Sequence, residues 1–288
     1  MQDIRRSLGQ IKLESILSTG YIRPFVESRR FELFSSTGTT ERPDVLCSKL
    51  IEGRVALLVD GVPFAIVIPK LFCGSFQTLD DYAFKPYYAT FTRWIKYAAL
   101  IISVMLPAVY AAIVMYHPEL LNSTMLMLLV EAEKKAPLSI VTESVGVLLM
   151  YQIIREAGVR LPKAVGGAVS IVSGLIIGDA AVNSGLISTP LLTVTAIAVI
   201  SGFVIPELDP TVTILRFAFL AAGGLLGFFG IALLASAVLV NICATEDYGF
   251  PYTAPISPLS GRGMGDALIR QSFRTMQSRD FTVEEYHE

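Results

Sequence analysis

WIKYAALIISVMLPAVYAAIVMY, residues 94–116, is the stretch on which the fold turns. It carries one charged residue, Lys96, in 23 positions, and about 20 apolar residues are enough to cross a hydrocarbon core. A helix satisfies its backbone polar groups internally, so a run of this length and composition reads as a membrane span. Arg93 and Lys96 alternate with Trp94 and Tyr97, the basic and aromatic pairing of an anchor at a cytoplasmic interface, which assigns residues 1–93 to the cytoplasm. Pro107 removes a helical hydrogen bond and crowds the preceding turn, so a kink is expected there.

Working outward, 53% of the 288 residues are hydrophobic and 17% charged, a balance unusual for a soluble protein. The apolar residues are unevenly placed. The expected fold is an α-helical integral membrane domain over 94–243, preceded by a small α/β cytoplasmic domain over 1–93 and followed by a polar C-terminal tail over 244–288. The opening MQDIRRSLGQIKLES lacks the apolar core of a signal peptide, leaving the first span as the insertion signal. Ile4, Leu8, Ile11 and Ile16 recur at roughly helical spacing after Asp3, and Ser18-Thr19-Gly20 closes that helix. A second helix is expected near Thr40–Ile51. Two β-rich runs, 54–59 and 62–68, surround Asp60-Gly61 and predict a hairpin, with Pro63 placing the second strand at an edge or delaying its start.

Beyond the first span, Leu120–Val130 is too short to cross and is followed by Glu131, Glu133, Lys134 and Lys135. Residues 137–157 mix Ser139, Thr142, Glu143, Ser144 and Gln152 into an apolar background, which favours an element lying in the membrane plane or only partly inserted. Val165–Val182, Leu186–Ile205 and Ile214–Val240 read as three further spans. Four spans place the tail inside and five outside; Arg262, Arg270, Arg274 and Arg279 favour four.

The segment KAVGGAVSIVSGLIIGDAAVNSG, 163–185, supplies most of the candidate functional residues. Gly166, Ser170, Gly174 and Gly178 fall four apart and give one helix face a strip of very small side chains. In lipid such strips let backbones approach for dispersion contacts. The strip serves packing within one chain, a contact between copies, or the lining of a conduit. Asp179, one turn before Asn183, is costly in hydrocarbon unless it meets a cavity, a partner or the headgroup region. Glu143 stands on either a solvated face or the polar wall of a conduit, and Ser173 adds a short hydroxyl near the strip.

Several classes drop out. A net charge of −2 gives no phosphate-binding surface, so no nucleic acid is expected. Cys47, Cys73 and Cys243 are widely spaced and read as small buried apolar residues, and the two histidines, His117 and His287, show no ligand spacing; neither a metal nor a cofactor is implied. No nucleophile elbow, zinc-protease or nucleotide-binding pattern occurs, so the chain does not read as an enzyme.

Five stretches taken together resemble one family. They are TERPDVLCSKLIEGRVALLVDGVPFAIVIP (40–69), REAGVRLPKAVGGAVSIVSGLIIGDAAVNSGLIS (155–188), FVIPEL (203–208), LLGFFG (225–230) and YGFPYTAPISP (248–258). In order and spacing they are similar to the A subunits of spore germinant receptors, the GerA family, from near residue 5 to about 260. The resemblance implies a protein of the inner membrane of bacterial endospores, acting with a polytopic B subunit that senses small nutrients and a lipoprotein C subunit. It further implies a homo-oligomeric, pentameric channel that releases monovalent cations early in germination. The short polar positions Ser170, Ser173, Asp179 and Asn183 are compatible with water contact in such a conduit. Members of the family usually carry two α/β subdomains ahead of the membrane part, and this chain begins where the second would start. The alternative is a membrane scaffold that anchors the partner subunits without conducting.

Overall fold

The computed structural model describes residues 2–27, 33–134, 136–257 and 264–272. The chain divides into two compact units, the first made of residues 1–97 and 237–288, the second of residues 98–236. The expected boundaries at 93/94 and 243/244 fall inside helices, and the polar tail joins the N-terminal residues in one unit.

In the first unit, helix α1 (Gln2–Leu8) stops earlier than the apolar spacing predicts, because Gly9 follows, a poor helix former whose N–H closes the last turn on Arg5 O at 3.0 Å. Ile11 and Ile16 lie beyond the helix yet pack on the same apolar cluster, formed by Ile4, Ile22, Val26, Ile66 and Ile68. The short helix α2 (Arg23–Val26) is followed by strand β1 (Gly38–Thr40), which the sequence reading missed, and then α3 (Pro43–Ile51), started by Pro43.

The hairpin forms between β2 (Val55–Leu57) and β3 (Ala65–Ile68), paired antiparallel with Val55 opposite Ile68 and Leu57 opposite Ile66. Its connection is not the expected tight turn. The strands part after Leu57 and resume at Ala65, because Pro63 has no N–H to give to the ladder; Gly61 takes the positive φ, +75°, inside that longer loop. Nor is β3 an edge strand. Pro63 lies outside it, and β3 sits centrally in the order β1-β3-β2, with Ala65, Ile66, Val67 and Ile68 all buried.

After the short α4 (Asp80–Ala83) comes α5 (Pro86–Tyr116), 31 residues with Pro107 inside, which begins eight residues before the expected start of the span. In the second unit follow α6 (Ser123–Glu133), α7 (Ile140–Arg160), α8 (Lys163–Asn183), α9 (Thr189–Gly202) and α10 (Asp209–Ala244). Ser139 starts α7 by accepting the Thr142 N–H. Pro162 separates α7 from α8, since the residue before a proline avoids helical angles. Gly185, at φ +70°, closes the α8 turn. Two short strands, β4 (Glu246–Asp247) and β5 (Phe250–Pro251), and helix α11 (Met264–Ala267) belong to the first unit.

Among the described residues two helices are long and apolar enough to cross a membrane, Pro86–Tyr116 and Pro206–Ala244. The third expected span, 186–205, contains the 14-residue α9, which rises about 21 Å, short of the roughly 30 Å of a hydrocarbon core. Of the cysteines, Cys73 is buried, but Cys47 and Cys243 are exposed on helix surfaces, contrary to the expectation for all three; none is in a disulfide.

Candidate functional site

The inner face of α9 is a polar seam. Ser188, Leu191, Thr195, Ala198 and Gly202 recur at helical spacing and all are buried, so a serine, a threonine and a glycine recur every seventh position between aliphatic neighbours. Each interval rises about 10 Å. Buried groups of opposite charge stand at the two ends. A carboxylate lies at the N-terminus of α9 and a guanidinium at its C-terminal end, the signs that the helix dipole favours.

At the N-terminal end Glu143, from the first turn of α7, is 1% exposed and accepts the Ser188 N–H on Oε1. Its Oε2 has no hydrogen-bond partner in the protein. Ser188 Oγ donates to Glu133 Oε1, from the end of α6, at 2.9 Å, and the Tyr110 hydroxyl of α5 reaches the same oxygen at 3.4 Å. Two acids from different helices thus converge on one serine. Glu133 and Lys134 also stand in the wall of a cavity of about 560 Å³, otherwise lined by apolar residues including Val114, Leu126, Leu129 and Ile140.

At the other end Arg216 of α10, 4% exposed, ties three helices together. Its Nε donates to Ser103 O of α5 at 2.7 Å, and Nη2 donates to Ser103 Oγ and to Ala198 O of α9 at 3.3 Å. A Cβ on Gly202 would lie 3.0 Å from both Nη2 and Ser103 Oγ, so glycine keeps the space the guanidinium occupies. From sequence, Arg216 stands near the start of the run 214–240 and Glu133 is one of the charges that follow 120–130, while Ser188, Tyr110 and Ser103 carry no signal of their own. An arginine within an otherwise apolar run was the one signal available.

Close helix approach within the chain occurs on α10. A Cβ on Gly223 would meet Ala108 O of α5 at 2.7 Å, and one on Gly224 would meet Val141 Cγ2 of α7 at 2.3 Å. Gly227 breaks the helical angles of α10 (φ +62°, ψ −145°), and the Tyr116 hydroxyl, at 2.9 Å from each, serves the carbonyls of Gly224 and Leu225 just before the break.

On α8 the arrangement differs. Gly166 is buried, with Gly158 O 2.5 Å from where a Cβ would stand, and Gly178 lies near Leu192 of α9. Gly174 is exposed, and among the described residues a Cβ there would meet nothing within 4 Å beyond its own helix backbone; Ile171, Val172, Leu175 and Ile176 beside it are 52–73% exposed. Asp179 and Asn183 are exposed. Ser170 and Ser173 lie on this helix, with side chains outside the described residues. Of the sequence-derived candidates whose side chains are described, the structure therefore brings Glu143 into the seam.

In the first unit Arg93, read from sequence as an interfacial anchor, is 0% exposed. Its Nη1 pairs with Asp266 Oδ1 at 3.0 Å and Nε with Asp81 Oδ2 at 3.4 Å, while Lys96 reaches Asp81 at 3.2 Å. An arginine enclosed by two carboxylates is a structural tie rather than a headgroup contact. Tyr82 donates to Asp266 at 2.6 Å; burial, and then the negative charge of Asp266, push its phenol above the ordinary range.

The Bacillus/Clostridium GerA spore germination protein family matches residues 1–282. Similar curated proteins include spore germination protein KA of Bacillus subtilis (strain 168), 35% identical over 285 residues that cover 98% of this chain and 52% of that protein. Others are spore germination protein GerLA of Bacillus cereus, 34% identical (97% and 57% covered), and the uncharacterized membrane protein YfkQ of Bacillus subtilis, 32% identical (96% and 55%). The chain spans about half the length of these relatives. No solved structure matches it. A family match over nearly every residue, with the five stretches first noted in the sequence inside it, decides the assignment: the chain belongs to the GerA family of spore germination proteins.

Proposed function

We propose that the chain is a membrane subunit of a spore germinant receptor, in the spore inner membrane, and that copies of it assemble into a channel that releases monovalent cations when germination is triggered. A polytopic B subunit and a lipoprotein C subunit are its partners in this reading, and the chain is not an enzyme. The observation that carries the proposal is the open face of α8. An apolar helix with exposed Ile171, Val172, Leu175 and Ile176, and with Gly174 against nothing among the described residues beyond its own helix backbone, needs lipid on one side and a closely packed neighbour on the other. A second copy supplies that neighbour, and Asp179 and Asn183 at the end of the same helix put polar groups where an ion passes.

We assign four crossings, α5, α8, the segment 186–205 that holds the short α9, and α10, with α7 partly inserted. Reconstitution with the partner subunits into potassium-loaded liposomes tests the reading. Asp179→Asn is expected to change flux with oligomer size intact, and Gly174→Leu to break up the oligomer. A non-conducting scaffold is favoured by the tie of three helices at Arg216, which suits a rigid frame; that reading predicts an intact oligomer with no potassium flux, with or without nutrient.

A further inference from the structure

The acids at the head of α9 leave a buried oxygen unused by the fold. Glu143 is 1% exposed, its Oε1 is held by the Ser188 N–H, and its Oε2 has no partner in the protein. Left ionised among apolar helices, that oxygen is strongly disfavoured. Protonated, it becomes a hydroxyl that equally lacks an acceptor. A water molecule would satisfy the lone pairs and leave the charge. Glu133, bonded to the same Ser188 through Oγ, brings a second negative charge to the neighbourhood and opens on the adjoining cavity. Lys134, the other charged residue in that cavity wall among the described residues, contributes one positive charge. Among the described residues, two carboxylates against one ammonium leave a single negative charge unmatched.

We propose that Glu143 and Glu133, with Ser188 Oγ and the Tyr110 hydroxyl beside them, bind one monovalent inorganic cation that enters through the cavity. The ligands suit that class, because all are hard oxygens. The unmatched charge equals that of one such ion. The proposal deepens the channel reading by giving the ion a resting place, and rests on it only for the lipid surroundings that make the buried charge costly.

The test is binding, measured apart from flux. The full chain is purified in detergent and its thermal unfolding followed as choline chloride is replaced by KCl or NaCl at constant ionic strength. A saturable stabilisation by one of the two ions is expected for the wild type. Glu143→Gln should weaken the apparent affinity by about tenfold or more, the size of one lost charged ligand, with Glu133→Gln shifting it in the same direction. Glu131→Gln, an equal charge change at an exposed position on the same helix, should leave it unchanged. Should Glu143→Gln fail to fold, Glu133→Gln and the wild-type titration still decide. The proposal is overturned if neither ion acts beyond choline, if the glutamine variants retain the response, or if CaCl2 alone saturates it. Potassium binding without liposome flux refutes conduction and leaves this site standing, whereas flux without binding refutes the site alone.

Discussion

Arg216 is a cation held among apolar helices by oxygens of neutral groups, with Ser103 O, Ser103 Oγ and Ala198 O as acceptors. Removing the guanidinium strands those acceptors, so Arg216→Ala should cost roughly 2–3 kcal/mol, read from thermal unfolding in detergent. Arg216→Lys should recover only part, because an ammonium cannot fork between two helices as the guanidinium does. In the first unit, burial pushes the Glu52 carboxyl up, but Arg54 at 2.7 Å and Lys49 at 2.8 Å outweigh it and hold the group below its usual range. Its folded value is therefore lower than its unfolded one. The stabilisation is complete above the unfolded value, about 4.3, and is lost as pH falls through the folded value. Acid titration of stability should show a steeper loss below about pH 5 for the wild type than for Glu52→Gln. Of these residues only Arg216 was visible in the sequence as an oddity. Glu133, Ser188 and Ser103 look like ordinary helix-end and helix-interior residues, and only the packing of α5, α6, α7 and α9 gives them a common task.

Elements were legible wherever composition alone fixes them. The run 94–116 is too long and apolar to be anything but a helix, whereas the ends of α7, at Ser139 and Pro162, were placed only to within a few residues by the segment 137–157. The sequence could not reveal that α5 extends back to Pro86, since Arg93 at an apparent membrane edge gives the same signal whether it meets headgroups or, as here, two aspartates. That ion network yields an ordering. Asp81 is 7% exposed and serves both Arg93 and Lys96, while Asp266 is 25% exposed and serves Arg93. Asp81→Asn should then destabilise the chain by about 3–5 kcal/mol, the cost of breaking a buried pair, and Asp266→Asn by clearly less, in paired chemical denaturation curves. The β elements were legible in part. The hairpin and the late start of β3 after Pro63 were readable, whereas a three-residue strand such as β1 carries too little pattern to be read, and the central place of β3 has no local signal.

The whole molecule repeats this contrast. Mixed, apolar and polar thirds were apparent from composition, but that residues 237–288 join 1–97 is a long-range fact with no local signature. The small-residue strip was visible too, although within the chain the tightest glycine contacts fall on α10, and Gly174 on α8 remains open. The account stands or falls on what meets that open face. Single cysteines placed along α8, in a chain lacking Cys47, Cys73 and Cys243 and held in membranes, can be oxidised and scored for disulfide-linked dimers. Gly174→Cys and Ile171→Cys, on the small-residue side, should cross-link strongly, whereas Val172→Cys and Ile176→Cys, about half a turn away, should not. Equal and weak cross-linking at all four positions, with the protein inserted and folded, would contradict an α8 contact between copies and with it the channel.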